Sequence, residues 1–334
     1  MQGKEAQCTV SIVMPVYNCE KTVEKAIASA LAQTVADIEL VVVDDCSTDG
    51  SAALVEKLAA KDSRIKLIKL SRNVGVGGAR KKAFENISGE YVTLLDADDW
   101  YLPNRLQNLL QAMQHMNADM ICDNLYLFDH VLGKVVGRTE FSGNKTQELT
   151  PYLLFKLDTA FKRHPVGFTQ PLIKTSFLRE KNITYNTDYR CGEDFLFLAE
   201  IVLSGARTYM IPSADYIYIH RISPSARTVA PNSTAGHGFE DILKSCDHIL
   251  EKYGESMSEL ERSSLAKKKR SIEDWVSYQQ LLHAIRIKDY NKASELLKAQ
   301  PLLYLIKFHT VKNRILDLLM IKKFSSNNQN FNQA

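Results

Sequence analysis

Between residues 9 and 127, short apolar runs rich in β-branched residues alternate with segments of helical spacing, and that alternation leaves few folds open. TVSIVMPV, IELVVVD, RIKLIKL, EYVTLLD and ADMICDNLYLF read as buried strands. KTVEKAIASALAQ, STDGSAALVEKLAAK, VGGARKKAFENI and LPNRLQNLLQAMQHM read as the helices between them, with Ser47, Thr48 and Asp49 as caps of the second. Strands separated by helices require right-handed crossovers, so the pattern predicts an α/β fold with a mainly parallel central sheet and flanking helices. Ligands of such sheets bind beyond the carboxyl ends of the strands.

The alternation stops after about residue 128. HVLGKVVGRTEF reads as a hairpin around Gly133, and a loop-rich stretch with Pro151, Pro165 and Pro171 follows. EDFLFLAEIVLSG reads as a helix ended by Gly205, with ARTYMIP and ADYIYIH as two strands behind it. From about 236 to 324 the pattern is helical and Lys-rich, with KKKR at 267–270, and SSNNQNFNQ reads as a disordered tail. A chain of 334 residues, 45% apolar and 24% charged, can bury a full core. Its net charge of +3 is spread over both signs, which argues against a nucleic-acid partner. The six cysteines form no CxxC pair, so a zinc site or a disulfide framework is disfavoured and a reducing cytoplasm fits. No uncharged stretch reaches the roughly 18 to 20 residues that cross a bilayer.

Acidic residues close two of the strands: Asp44 and Asp45 after IELVVV, Asp96 and Asp98 after YVTLL. Carboxylates crowded at the ends of buried strands call for a cation or a polar ligand to offset their repulsion. In LLDADDW, Asp96 and Asp98 fall on one side of an extended segment, suited to Mg²⁺ or Mn²⁺ shared with substrate phosphates, while Asp99 points away. A solvated acidic turn is the plainer alternative. The turn after the first strand, PVYNCEK, holds no glycine, which disfavours a dinucleotide enzyme and a nucleotidyltransferase. The Gly-rich stretch NVGVGGAR follows the third strand instead. Its glycines either form a tight helix entry or bring Arg80, with Arg72, to a phosphate or ribose. Glu193 and Asp194 open a helix, either as favourable charges at its N-terminus or with Asp194 as a general base. His220 and Arg221 follow a buried strand and are candidates for a diphosphate or metal contact.

VSIVMPVYN, VVVDDCSTDGS, RNVGVGGARKKA, GEYVTLLDADDW, GEDFLF and YIHRISPSA, in that order over about residues 8 to 230, resemble the family 2 glycosyltransferases of bacteria. The resemblance implies the GT-A fold and an inverting hexosyltransferase that uses a nucleoside diphosphate sugar, usually UDP-linked, with Mn²⁺ or Mg²⁺. It implies that Pro15, Tyr17 and Asp45 line the nucleoside and that Asp96 and Asp98 form a DXD pair with Asp98 the direct metal ligand; on the residues themselves, Arg80 and Arg221 join Asp96 as nucleotide-sugar candidates, positioned to assist the diphosphate. His220 joins Asp96 and Asp98 as a metal candidate, and Asp194 becomes the catalytic base. The pair Asp123 and Asn124 resembles transferases of succinoglycan-type exopolysaccharide assembly, and the lack of QxxRW disfavours a processive synthase. The division expected is 1–235 for the catalytic domain, with 8–127 the nucleotide-binding half and 128–235 the acceptor-binding half, then 236–324 helical and 325–334 a tail. A saccharide acceptor on a polyprenyl lipid would suit a protein at the inner face of the cytoplasmic membrane. Leu302, Leu305, Ile306, Phe308, Ile315, Leu316 and Leu319 near Lys307, Lys312, Arg314, Lys322 and Lys323 would either lie on that surface or pack on the catalytic domain. The competing class is a nucleotide-sugar binding protein without catalysis.

Overall fold

The structure, a computed structural model, describes residues 8–141, 143–159, 166–219 and 237–299. The alternating region folds as β1 (Cys8–Val16), α1 (Val23–Leu31), β2 (Ile38–Asp44), α2 (Ser51–Ala59), β3 (Ile65–Lys69), α3 (Gly75–Phe84) and β4 (Gly89–Leu94). A short β5 (Trp100–Tyr101), α4 (Arg105–His115) and β6 (Met120–Asp129) complete it. Period-two alternation along the strands feeds two cores. Ile12, Met14, Leu40 and Val42 pack toward α1 and α4. Val13, Val41 and Val43 pack toward α3 and a later helix. Helix α2 begins at Ser51 with Gly50 at its cap position; of the three expected caps Asp49 serves, its Oδ1 accepting from Ser51 N at 2.9 Å, while Ser47 and Thr48 do not. All three also tie two loops together: Ser47 Oγ accepts from Asn18 N, Asn18 Oδ1 accepts from Thr48 N, and Asp49 Oδ2 accepts from Glu20 N.

The remaining elements are β7 (Lys134–Arg138), β8 (Gln147–Glu148), α5 (Pro151–Leu157), β9 (Leu172–Lys174), α6 (Thr175–Glu180), α7 (Glu193–Leu203) and β10 (Thr208–Ile219). The strand order along the sheet is β3-β2-β1-β4-β9-β6-β10-β5, with β7 on β6 and β8 on β10. The hairpin at Gly133 (φ 63°) forms as expected, and Gly205 (φ 83°) follows the end of α7. Two expectations are corrected. The sheet is mixed, because β9 lies antiparallel between β4 and β6; a three-residue strand carries too little pattern to be read in advance. ARTYMIP and ADYIYIH form one strand, β10, whose register against β6 shifts between Met210 and Tyr216. Asn124 holds that irregularity by donating to the carbonyls of Ile211 and Pro212.

The chain runs outward from β1 to β2 and β3, then returns to β4 on the other side of β1. That reversal opens a crevice at the carboxyl end of β1, where open sheets bind ligands. Helices α8 (His237–Tyr253), α9 (Glu259–Arg286) and α10 (Tyr290–Ala299) follow. Helix α7, buried over nine of its positions, packs against α8, and α9 packs against α5. The KKKR run is not an open basic patch: Lys268 is buried against Asp158 and Lys269 pairs with Asp247. The amphipathic stretch 302–319 and the tail lie outside the described residues. Among the described residues no helix is long and apolar enough to cross a membrane.

Candidate active site

Each side of the crevice contributes acidic side chains. Asp45 follows β2, and its backbone N donates to Val16 O at 2.8 Å, which sets it beside Pro15 and Tyr17 at the end of β1. Tyr17 is 48% exposed, so its ring is available to a ligand. The Asp45 carboxylate accepts from Val74 N at 2.7 Å and Gly75 N at 2.9 Å. It therefore pins the Gly-rich entry to α3, where Gly75 has φ 82°, a conformation side chains with a Cβ disfavour. Burial pushes the Asp45 carboxyl up in pKa, partly offset by those two N–H donors. A carboxylate has about four lone-pair positions, so two backbone bonds leave acceptor capacity for a ligand N–H. Asp44, also buried, has Oδ2 on Ser47 N while Oδ1 has no partner.

Arg80 is the hub of the other side. Its side chain is 3% exposed, and it donates to Asp96 Oδ1 at 2.8 Å and to Asp194 Oδ1 at 2.5 Å, with Glu193 Oε1 at 3.8 Å. Burial works against its charge, yet Asp194, Tyr185, Asp96 and Glu193 outweigh it and hold the guanidinium pKa well above the ordinary value. So buried and so paired, Arg80 organises carboxylates and offers no open face to a phosphate, contrary to the expectation from sequence. Asp96 Oδ2 accepts from Gln170 Nε2 at 3.0 Å, and its side chain stays 26% exposed.

Asp194 sits at the start of α7 behind Gly192, whose φ of 81° makes the turn into the helix. Its Oδ1 accepts from both Arg80 and the Tyr185 hydroxyl, at 2.9 Å from the latter. Tyr185 is in turn stacked on Phe197 with ring centroids 4.4 Å apart. The carboxylate remains 27% exposed. Its neighbour Glu193 is buried, and burial together with Asp194 pushes its pKa up to about 7 although Arg80 opposes the shift.

Asp99 turns inward as expected, accepting from the Tyr216 hydroxyl and Ile219 N, both at 2.7 Å. Burial, with Asp98 and Asp96 close by, pushes its pKa well up. Asp98 is half-buried in a turn closed by Asp99 N donating to Asp96 O at 3.0 Å; β4 ends at Leu94, so Asp96 and Asp98 do not share one side of an extended segment as expected. Among the described residues no three His, Cys, Asp or Glu side chains form a ready cation cage. His220 and Arg221 lie outside the described residues. All six cysteines are free thiols. Asp123 and Asn124 are buried structural groups, the first paired bidentately with Arg105. Sequence reasoning missed Gln170 and Tyr185, which carry no motif of their own.

Residues 11–202, more than half of the chain, match the family described as Glycosyl transferase family 2. The chain belongs to that family. The chain is 34% identical over 212 residues to the succinoglycan biosynthesis protein ExoO of Rhizobium meliloti (strain 1021), covering 63% of this chain and 60% of that one. It is 37% identical over 138 residues to WfgD of Escherichia coli, a UDP-Glc:alpha-D-GlcNAc-diphosphoundecaprenol beta-1,3-glucosyltransferase, covering 41% and 54%. The matches thus span a little over half the length of these relatives. Among solved structures, TarS 1-349 of S. aureus in complex with UDP-GlcNAc superposes with a TM-score of 0.60 at 21% identity, covering 87% of this chain and 91% of TarS. The architecture is the GT-A fold.

Proposed function

We propose that this glycosyltransferase moves a hexosyl group from a UDP-sugar, UDP-glucose or UDP-galactose, to a saccharide acceptor carried on a polyprenyl lipid, with inversion, in the assembly of a surface polysaccharide. The observation that carries the reading is the Asp194 carboxylate: one oxygen is fixed by Arg80 and Tyr185 while the group stays 27% exposed at the crevice. A base so held can accept the proton of an attacking hydroxyl without reorganising. The hydroxyl oxygen forms the new bond to C1, the bond from C1 to the donor diphosphate breaks, and UDP leaves with the electron pair. One displacement inverts the anomeric centre, and the transition state has the oxocarbenium character of glycoside hydrolysis.

Tyr17 and Pro15 offer a surface for the uracil ring, and Asp45 an acceptor for its N–H. Asp98, one carboxylate beside the expected diphosphate, suits Mg²⁺ or Mn²⁺, which bind through one or two carboxylates plus substrate phosphates and need no cage. Such an ion would supply charge neutralisation for the departing diphosphate. The relatives named for succinoglycan synthesis and for a diphosphoundecaprenol acceptor support the polysaccharide and lipid parts of the reading. Asp194→Asn should lower transfer of radiolabelled sugar by roughly 10² to 10⁴ while UDP binding by calorimetry is kept. Full transfer by the Asn variant would remove Asp194 from this role, and UDP binding with no transfer by the unaltered protein under any acceptor would favour a binding protein.

A further inference from the structure

A second concave surface opens on the far flank of α3, beyond the edge strand β3. It is a cleft of about 500 Å³ lined by Arg72 and Asn73 after β3, Lys81 and Lys82 on α3, and Thr187 and Arg190 in the loop before α7. A volume of that size lies within the range of small-molecule sites. Four cations line it against one carboxylate, Glu85, which Lys82 already occupies at 2.8 Å. Arg72, Lys81 and Arg190 have no carboxylate partner among the described residues. The cleft therefore concentrates a net of three positive charges, as many as the whole chain carries. Cations gathered on one concave face raise the local concentration of an anion.

Both walls are tied to the active site. Asn73 Nδ2 donates to Asp45 O at 3.2 Å, and the adjacent Val74 N is held by the Asp45 carboxylate. On the other wall Arg190 precedes Asp194 by one turn of chain, with its backbone N anchored on Asp241 of α8 at 3.0 Å. That loop lies over the start of α3, since a Cβ at Gly77 would meet Asn186 O at 3.5 Å. Gly78, Lys82 and Glu85 share the solvent face of α3 by their i, i+4, i+7 spacing, with Arg80 on the buried face.

We infer that this cleft is the subsite for the diphosphate of the acceptor, distinct from the place of the donor diphosphate at Asp98. The inference rests on the transferase reading: the acceptor's sugar reaches Asp194 while its diphosphate is held by the paired forks of Arg72 and Arg190 and the ammonium of Lys81. No bond changes in the cleft. Inorganic pyrophosphate titrated by calorimetry into the full chain in EDTA should bind, and Arg72→Gln/Lys81→Gln/Arg190→Gln should weaken it by at least about tenfold. Lys57→Gln/Lys267→Gln/Arg270→Gln, the same charge change at exposed positions elsewhere, should leave it unchanged. Farnesyl diphosphate should displace the pyrophosphate, which assigns the site to a carrier-borne group. Equal pyrophosphate affinity in the cleft variant, or pyrophosphate that farnesyl diphosphate does not displace, overturns the inference. UDP titrated with Mn²⁺ reads the donor site separately and should be unaffected in Lys81→Gln/Arg190→Gln, which leaves Arg72 in place; if the unaltered protein fails to bind UDP, the transferase reading falls and the cleft result still stands on the pyrophosphate titration.

Discussion

Two buried arginines divide the labour of this molecule. Arg105 is fully enclosed, donates bidentately to Asp123, whose side chain is 1% exposed, and lies against the rings of Tyr101 and Tyr216, which pack edge to face on each other. One guanidinium meets one carboxylate, and its remaining donors end on Gln170 O and Thr93 Oγ1. Arg80 is as deeply placed but faces three carboxylates, two of which, Asp96 and Asp194, open to the crevice. The closed pair joins α4 to β6 and has nothing left to offer a ligand. The open one holds more negative charge than it neutralises, which suits a place where a proton must be taken up and a charged donor bound. Gln170 touches both, its carbonyl on Arg105 and its amide on Asp96.

The largest effect is expected from breaking the closed pair. Asp123→Ala leaves a buried guanidinium unpaired and should cost about 3–5 kcal/mol, read as a lowered urea midpoint, while the folded fraction keeps its kcat. A proportional fall in kcat would mean that Gln170 transmits the loss and that the two arginines are one network. Next is Arg80→Lys. An ammonium cannot span Asp96 and Asp194 as the planar fork does, and misplacing the base should lower kcat roughly 10²-fold with UDP affinity kept. Unaltered turnover would erase the distinction between the two centres.

The alternating region was legible because each strand there is bounded by a helix of opposite periodicity. IELVVVD folds over the residues expected, and the aspartates after β2 and β4 flank β1 because the strand order reverses there. What was not legible is long-range. Nothing local in LIK marks a strand pairing with both β4 and β6, and nothing in PSA shows that β10 continues through an irregularity. The same holds for the site. Asp194 stands out at a helix start, but Tyr185, nine positions earlier, meets it only because the intervening loop folds back. Arg80 reads as an available cation in NVGVGGAR; only burial against Asp96 and Asp194 shows that it is spent on them.

The surplus of negative charge at the open centre has a pH signature. Glu193 is 8% exposed and its pKa is pushed up to about 7 by burial and by Asp194. Below the ordinary carboxyl range both native and unfolded chains carry its proton, and it contributes nothing to pH dependence. Between about pH 4.5 and 7 the unfolded chain releases that proton while the native chain keeps it, so stability falls as pH rises. Above pH 7 the full penalty persists. Glu193→Gln removes it: measured against the unaltered protein, the variant should gain on the order of 1–3 kcal/mol at pH 8 relative to pH 4, in urea unfolding at each pH. Parallel stability curves for Glu193→Gln and the unaltered protein would show that Arg80 neutralises its three partners after all, and the contrast with Arg105 would reduce to exposure alone.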